Sequence, residues 1–250
     1  MTTTSRAHSF NAAAAAYAAN RPSYPPALFD AVEELAGRPL TGARVADIGA
    51  GTGIATALLH ERGARVVAVE PGDGMTEQFR RTLPGVPIVR GDGNNLPLAD
   101  ASADFITYAQ AWHWTDPARS APEAMRVLRP GGALALWWNV ADRAVDWVAD
   151  QTTRIQRFFG DFDIVLGAHG TAERTRETGG LDFTDRTVPW TREVSVETHL
   201  ANLASHSVFL VAGEKATREF LDRERPALME IFPEGVIREA YVVDLCVATR

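Results

Sequence analysis

The sequence predicts an α/β fold with a doubly wound, mostly parallel sheet, an antiparallel closing strand and a helical cap. Between residues 40 and 140, short apolar segments alternate with longer helix-like segments. Strands that alternate with helices in this way form parallel βαβ units with right-handed crossovers. The apolar segments carry almost no polar residues, which is typical of strands that helices cover on both faces.

Each element is predicted from its local hydrophobic pattern and from the residues that break that pattern at its ends. The predicted strands are Arg44–Ile48, Arg65–Val69, Val86–Val89, Asp104–Tyr108 and Ala133–Trp138. Helices are predicted between them, from about 52 to 62, from about 74 to 83 and from 117 to 128. Beyond this region, helices are predicted from about 142 to 159, 197 to 205 and 214 to 228, and strands at 187–194 and 240–248. The last strand is expected to close the sheet.

The composition excludes several classes of protein. One cysteine in 250 residues cannot form a disulfide framework or a cysteine-based zinc site, and no other metal site is indicated. No apolar run reaches the roughly 20 residues of a transmembrane helix, and Met1–Ser9 lacks the apolar segment of a signal peptide. A net charge of -7 argues against a surface built mainly for nucleic acid. We therefore expect a cytoplasmic protein that binds neither nucleic acid nor membrane.

The strongest local signal is a glycine turn after the first predicted strand. Gly49, Gly51 and Gly53 follow Val45–Ile48 directly and open the next helix. Glycines are needed where the backbone turns tightly and a ligand approaches without a Cβ in the way. Glu70 ends the next strand, where a carboxylate can accept both hydroxyls of a ribose. Together they predict an adenosine-containing ligand, the alternative being a tight turn with a solvated acid.

Two cofactor classes use this arrangement. A nicotinamide dinucleotide favours the spacing G-x-G-x-x-G, and here Ile54 occupies the place of the third glycine. Asp47, just before the loop, would repel a pyrophosphate but suits a ligand that carries an ammonium group and a sulfonium charge. Both residues favour S-adenosylmethionine, with a nicotinamide-dependent oxidoreductase as the alternative.

Four segments, taken together, resemble the class I S-adenosylmethionine-dependent methyltransferases. They are Val45–Gly53, Val67–Pro71 followed by Met75, Gly91–Leu98 with Gly93 in place of the usual alanine, and Val127–Gly132. They stand in the family's order. A looser resemblance to the trans-aconitate methyltransferase-like branch, among the type 11 methyltransferases, rests on Phe10, Ala14, Tyr17, Arg21–Pro22, Tyr24–Pro25 and Gln110–Trp114.

The resemblance implies which residues hold the methionine and ribose parts of the cofactor. Gly49 and Gly51 would pack against the methionine part, and Asp47 would hold its ammonium group, directly or through water. Glu70 would accept the ribose hydroxyls. Gln110, just past the fourth strand, would face the methionine end.

The adenine would be held by four further positions. The resemblance places Pro71 and Met75 against the ring face, where a flexible thioether fits a flat surface. Asp92 would accept a hydrogen bond from the amino group, and the backbone of Gly93 would meet the ring edge. Met75 has the alternative of filling the core.

The chain is predicted to have three parts. Residues 1–39 form an N-terminal helical lid segment, residues 40–140 the cofactor-binding core, and residues 141–250 the cap and substrate region with the closing strand. In the lid, Tyr17 and Arg21 would lie near the cofactor's carboxylate, to which an arginine offers paired donors. An equally good interpretation is a helix that only covers the sheet.

Aromatic residues and a histidine stand at the expected mouth of the site. Trp112 and Trp138 are predicted to line the substrate pocket, although packing in the core is the alternative. Trp137 and Trp138 are adjacent on a strand and must face opposite sides. His113 is the candidate catalytic residue, since a neutral imidazole could take a proton from a hydroxyl. A structural or substrate-binding histidine is the alternative.

The predicted function is transfer of a methyl group from S-adenosylmethionine to a small molecule, with S-adenosylhomocysteine as the second product. Oxygen is the expected acceptor atom, in a carboxylate or a hydroxyl, because the aconitate-like branch methylates a carboxylate. Nitrogen and carbon are alternatives. An alternative of another class is a noncatalytic S-adenosylmethionine-binding partner or sensor. The sequence does not indicate an oligomeric state.

Overall fold

A computed structural model describes residues 20–160 and 180–250 of the chain. The strands are β1 (Arg44–Ile48), β2 (Arg65–Glu70), β3 (Ile88–Arg90), β4 (Ala103–Ala109), β5 (Leu128–Ala141), β6 (Thr184–Ser195) and β7 (Val236–Thr249). The helices of the described residues are α1 (Pro26–Ala36), α2 (Ile54–Glu61), α3 (Asp73–Thr82), α4 (Pro117–Val127), α5 (Asp146–Phe159), α6 (Val196–Ala204), α7 (Ser207–Ala212) and α8 (Glu214–Ile231). A short 3-10 helix spans Trp112–Trp114.

The strands form one sheet in the order β3-β2-β1-β4-β5-β7-β6. Strands β1 to β5 pair in parallel, whereas β7 is antiparallel to both β5 and β6. The predicted fold class is therefore confirmed. The strand order reverses between β1 and β4, and ligands of open α/β sheets bind at the carboxyl ends of the strands beside such a reversal.

Alternating side chains bury both faces of the sheet. On one face Val45, Val66 and Phe105 belong to an apolar cluster that includes residues of α1, α2 and α3. On the other face Ile106 and Leu134 pack in a second cluster that includes residues of α4. Trp137 belongs to the first cluster and Trp138 to the second, so the two rings face opposite sides as predicted.

The cap has an apolar cluster of its own. Ile155 of α5, Leu200 of α6, Phe209 of α7 and Phe220 of α8 pack together. The β6–β7 pair runs in continuous register from Thr184 to Ser195, and it joins this region to the edge of the sheet. Within the described ranges, no helix is long and apolar enough to cross a membrane.

Strand β5 and helix α7 differ most from the sequence prediction. Strand β5 begins at Leu128 rather than at Ala133, because Leu128 pairs with Ala103 and the ladder then shifts register to Ala133 opposite Phe105. The segment Leu128–Gly132, which contains two glycines, lies within the strand at this shift of register. Helix α7 was not predicted, since its six residues are too few to show a helical period.

Candidate active site

The glycine turn joins β1 to α2 through left-handed backbone at Gly49 (φ +67°), Gly51 (φ +58°) and Gly53 (φ +93°). The N–H of Gly49 donates to the carbonyl of Val69 at 2.8 Å and so ties the loop to β2. A Cβ at Gly49 would lie 2.5 Å from the Cβ of Ala111, whereas a Cβ at Gly51 would meet nothing within 4 Å. The loop is therefore packed at Gly49 and open at Gly51, where a ligand can approach.

Glu70 lies beside this opening at the end of β2. Its Oε2 accepts from the N–H of Gly51 at 2.9 Å, and its Oε1 accepts from the N–H of Gly72 at 2.7 Å. Burial raises the pKa of Glu70 above its usual range. Each carboxylate oxygen still has a second lone pair. The side chain can therefore accept two more hydrogen bonds from a diol presented on the open side of the loop.

Asp47 lies beneath the loop, in β1. The hydroxyls of Thr56 and Thr107 donate to its two oxygens at 2.5 and 2.8 Å, and the residue is fully buried. Burial raises the pKa of Asp47 to about 6. Since no part of the carboxylate reaches the surface, this structure favours an effect of its charge through the loop over a direct contact with an ammonium group.

The residues predicted for the adenine lie along the neighbouring edge. Pro71 and Asp92 are exposed, and Oδ1 of Asp92 accepts from the backbone N–H of Asn94 at 2.7 Å. That bond caps the loop after β3 with one carboxylate oxygen. Met75 is buried, but it belongs to none of the apolar clusters of the described residues. Its contact with the ring face of the adenine stays a prediction.

Gly93 departs from the family's usual alanine for a steric reason. A Cβ at this position would lie 2.8 Å from Cγ2 of Thr115 and 2.9 Å from Cε1 of Tyr108. These contacts are shorter than packed atoms allow, so an alanine would displace one of the two side chains.

Gln110 marks the carboxyl end of β4. Its backbone is left-handed, with φ of +59°, a conformation that costs a non-glycine residue roughly 1–2 kcal/mol. Two hydrogen bonds hold it there: its N–H donates to the carbonyl of Trp137 at 2.9 Å, and its Nε2 donates to the carbonyl of Asn139 at 3.1 Å. Backbone strain of this kind is concentrated at functional sites.

His113 and Trp138 form a side-chain pair at the same edge. The indole Nε1 of Trp138 donates to Nδ1 of His113 at 3.2 Å. The residue is exposed as a whole, and lost hydration around the imidazole lowers the pKa of His113 below its ordinary value. A ring with this lowered pKa is neutral at physiological pH.

Trp112 is placed differently. It is fully buried, and its ring packs edge-on against Tyr108 with centroids 4.8 Å apart. This placement favours the packing interpretation of Trp112 over the pocket interpretation.

Comparison with known proteins identifies the family. Residues 46–136 match a family model described as "Methyltransferase domain". An uncharacterized methyltransferase of Mycobacterium tuberculosis is 40% identical over 223 residues, which are 88% of this chain and 85% of that protein. The chain belongs to the class I S-adenosylmethionine-dependent methyltransferases. The family and the fold imply use of S-adenosylmethionine.

Solved structures share the fold of this methyltransferase. A candidate type II methyltransferase from Anaeromyxobacter dehalogenans has a TM-score of 0.71 at 26% identity, over 92% of this chain and 97% of that one. A phosphoethanolamine N-methyltransferase of Haemonchus contortus, in complex with S-adenosylhomocysteine, has a TM-score of 0.53 at 15% identity. It covers 96% of this chain and 58% of that one, and at this identity it shows the fold alone.

The first residues that the structure describes in this methyltransferase contact its cap and the edge of the sheet. Nη2 of Arg21 donates to the carbonyl of Ser205, just after α6, at 3.1 Å. Nη2 of Arg192 in β6 donates to the carbonyl of Asn20 at 3.3 Å. Tyr17, the other residue predicted to face the cofactor's carboxylate, lies outside the described residues.

Sequence reasoning missed Asn139, which links the cofactor end to the cap. Its carbonyl accepts from Gln110, and its Oδ1 accepts from the indole Nε1 of Trp190 at 2.9 Å. Trp190 in turn stacks on Tyr241, with centroids 5.2 Å apart. No local spacing reveals these partners, since they lie on strands β6 and β7 far along the chain. In the part of the chain that the structure describes, no cluster of side chains could hold a metal ion.

Proposed function

We propose that this methyltransferase transfers a methyl group from S-adenosylmethionine to an oxygen of a small molecule and releases S-adenosylhomocysteine. The observation that carries the proposal is the pairing of Glu70 with the open glycine Gly51, which suits a ribose diol. Gln110 and His113 stand at the carboxyl end of β4, beside the strand reversal, where the reacting end of the ligand would lie.

The protein's own residues hold and orient the cofactor in this proposal. Glu70 accepts the ribose hydroxyls, and the backbone at Gly49 and Gly51 faces the methionine part. Asp47 places a negative charge below the loop, which favours the ammonium and sulfonium groups. When bound, S-adenosylmethionine supplies a methyl group activated by its positive sulfur.

The adenine and methionine ends complete the proposed set. Pro71, Met75 and the backbone of Gly93 form the adenine surface, and Asp92 accepts from the amino group. Gln110 faces the methionine end. Arg21, together with Tyr17, would face the cofactor's carboxylate in a closed lid, although the structure describes Arg21 in contact with the cap.

An oxygen acceptor is proposed on the strength of the N-terminal and Gln110–Trp114 resemblance to the branch that methylates a carboxylate. Trp138 and His113 would contact the acceptor, and methyl transfer would depend mainly on positioning the acceptor and excluding water. The cytoplasmic location expected from the composition stays a prediction.

Titration calorimetry followed by product analysis tests the proposal. We expect the full chain to bind S-adenosylmethionine and not NAD, and to release S-adenosylhomocysteine with acceptor mixtures of carboxylic acids or alcohols. Glu70→Ala should weaken cofactor binding and slow turnover. Binding without turnover on any acceptor mixture would favour a noncatalytic sensor, and methylated amines would make the protein an N-methyltransferase.

A further inference from the structure

A cavity lies at the amino ends of β1, β2 and β4, at the end of the sheet opposite the glycine loop. Its volume is about 630 Å³, which is within the range of small-molecule pockets. Arg44, which begins β1 and lines the cavity, is roughly 15 Å from Gly49 at about 3.3 Å per strand residue. Of the described residues that are proposed to hold the cofactor, none lines this cavity. It is therefore separate from the candidate active site.

The cavity is found where a crossover of the fold has no helix. Helices α2 and α3 contribute to the apolar cluster on one face of the sheet. The connection from β3 to β4, residues 91–102, contains no helix, although connections between parallel strands usually supply one. A loop crosses the second face instead, and its residues Pro97–Ala99 line the cavity together with Ala46 and Val67 of the sheet. These residues give the cavity an apolar wall.

Two arginines stand side by side at the rim of the cavity. Arg44 and Arg65 are paired in register on β1 and β2, so their side chains leave the same face of the sheet. Both are exposed and both line the cavity. Like charges on neighbouring strands repel each other. Within the described part of the chain, the guanidinium of Arg65 has neither an ion pair nor a hydrogen bond.

The acid beside Arg44 is already shared among several arginines. Asp104 is buried, and its Oδ2 accepts from the backbone N–H of Arg44 at 2.7 Å and lies 3.6 Å from Nε of the same residue. The guanidinium groups of Arg38 and Arg129 also pair with this carboxylate. One carboxylate cannot balance these three arginines and Arg65 as well. Positive charge is thus concentrated at this rim, in a chain whose net charge is -7.

We propose that this cavity binds an amphipathic oxyanion, which is a carboxylate or phosphate group joined to an apolar body. The oxyanion accepts hydrogen bonds from the guanidinium groups of Arg44 and Arg65, whose planar forks match carboxylate and phosphate oxygens. The apolar body lies between the 91–102 loop and the sheet, against Val67. A cation would be repelled by the two arginines, and an uncharged apolar molecule would leave their mutual repulsion in place. The proposal goes beyond methyl transfer and does not depend on it.

Titration calorimetry of the full chain tests the two halves of the ligand. Octyl phosphate and octanoate should each bind with one molecule per chain. Inorganic phosphate, which lacks the apolar body, and octanol, which lacks the charge, should bind about tenfold or more weakly. Octanol that binds as tightly as octanoate would overturn the oxyanion contact. Inorganic phosphate that binds as tightly as octyl phosphate would overturn the apolar contact.

Substitutions at the rim test which residues bind the anion. Arg65→Gln should weaken octyl phosphate about tenfold or more, because it removes a hydrogen bond between charged groups. Arg143→Gln is the matched control, since Arg143 is exposed and follows β5 at the other end of the sheet. Urea unfolding should show Arg65→Gln to be at least as stable as the wild type without ligand, because the repulsion from Arg44 is relieved. Equal affinities in the two variants would overturn the proposal.

Nuclear magnetic resonance of the full chain with ¹³C-labelled alanine and valine methyl groups locates the ligand. Octyl phosphate should shift the methyl signals of Ala46 and Val67 and leave that of Ala50, in the glycine loop, in place. Saturation with S-adenosylmethionine should not change the affinity for octyl phosphate. Competition between the two would place the anion in the candidate active site and overturn the proposal.

A membrane surface is the other source of such a group. Vesicles of phosphatidylglycerol should not bind the protein, because the cavity holds one molecule rather than a bilayer. Vesicle binding that Arg65→Gln abolishes would overturn the proposal in favour of a membrane contact. A chain that binds octyl phosphate at Arg65 but binds no S-adenosylmethionine would refute the proposed function alone.

Discussion

The backbone N–H of Gly51 lies 2.9 Å from Oε2 of Glu70 and donates a hydrogen bond to it. The open position of the glycine loop and the acid at the end of β2 are thus parts of one hydrogen-bonded unit. The Gly72 N–H fixes the other oxygen. Any change to the carboxylate is therefore expected to alter both the proposed ribose contacts and the shape of the loop.

Replacing Glu70 should weaken cofactor binding strongly. Glu70→Ala removes two hydrogen bonds to a charged group, each of which contributes on the order of 1.5–3 kcal/mol in a dry site and less where water replaces the carboxylate. Affinity for S-adenosylmethionine should therefore fall about tenfold or more. Glu70→Gln keeps one acceptor and should lie between the alanine variant and the wild type. Titration calorimetry measures this, with Glu61→Ala on the exposed side of α2 as a control. Unchanged affinity in Glu70→Ala would remove Glu70 from the ribose site.

Binding should depend on pH through Asp47. Its pKa is raised to about 6, and the positive groups of the ligand favour its ionised form, so binding should lower that pKa. Affinity should therefore fall as the pH drops through 6, and binding at pH 6 should release protons. Calorimetry in buffers of different ionisation enthalpy measures the number of protons released on binding. Asp47→Asn should abolish most of the release, and an equal release in this variant would assign it to another group.

The same shift should make Asp47 destabilising in the free protein. A carboxyl whose folded pKa lies above its ordinary value of 3.8 destabilises the fold fully above pH 6 and not at all below pH 3.8. At about 1.4 kcal/mol per unit, Asp47→Asn should raise the free energy of unfolding at pH 7 by about 1–3 kcal/mol. Urea unfolding at pH 7 and pH 4.5 should show this gain shrinking at the lower pH. A variant that is less stable at pH 7 would contradict the buried-charge argument.

The fold could be predicted wherever it follows from local pattern. Strands β1, β2 and β4 lie within one or two residues of their predicted bounds. Each is an apolar run that clear strand-ending residues bound. The start of β5 depends instead on the pairing of Leu128 with Ala103 and on β7, which joins from the far end of the chain. Long-range pairing of this kind leaves no periodic trace in the sequence.

The candidate site likewise has a part that local sequence predicts and a part that depends on long-range contacts. The glycine loop and Glu70 are close in sequence, and their spacing within one βαβ unit predicted the cofactor class. The bond between His113 and Trp138 spans 25 residues, and the contact of Arg21 with Ser205 spans 184. Only the folded chain brings these residues together, so no local pattern in the sequence could predict the hydrogen bond of His113 or the contact of Arg21 with the cap.

Asp92 should set the preference for adenine. Oδ1 caps the loop through the N–H of Asn94, and the second oxygen is the proposed acceptor for the amino group. Asp92→Asn can keep the cap while it turns that acceptor into a donor. It should weaken S-adenosylmethionine but strengthen an S-inosyl analogue, whose ring carries a carbonyl in place of the amine. Asp92→Ala, which loses both functions, should gain nothing with the analogue, and parallel losses for both ligands in Asp92→Asn would leave Asp92 with the capping role alone.

The backbone strain at Gln110 can be measured by comparing the stabilities of two variants. Gln110→Ala and Gln110→Gly both lose the bond to Asn139, but only alanine keeps a Cβ in left-handed backbone. The glycine variant should be more stable by about 1 kcal/mol, after the greater entropy of an unfolded glycine is deducted. Urea unfolding compares the two, and equal stabilities would mean that the backbone relaxes. Both variants should transfer methyl groups more slowly than the wild type.

Alanine variants of two glycines with similar backbone conformation can separate the effect on ligand binding from the effect on stability. Gly51 (φ +58°) and Gly42 (φ +74°) are both left-handed, and a Cβ at either would meet nothing within 4 Å. Gly42 precedes β1, at the end of the sheet opposite the glycine loop, and its N–H donates to the carbonyl of Gly63. Alanine at either position should therefore lower the free energy of unfolding by a similar amount, roughly 1–2 kcal/mol.

Cofactor binding should distinguish these variants. The open space at Gly51 is where the ligand is proposed to approach, so Gly51→Ala should weaken S-adenosylmethionine about tenfold or more, whereas Gly42→Ala should bind normally. Calorimetry on both variants, after urea unfolding has shown equal destabilisation, gives the comparison. If both bound equally well, the space beside Gly51 would not be the cofactor's, and the ribose role of Glu70 would lose its support. If both lost affinity equally, the effect would come from general destabilisation rather than from a methyl group of alanine in the ligand's place.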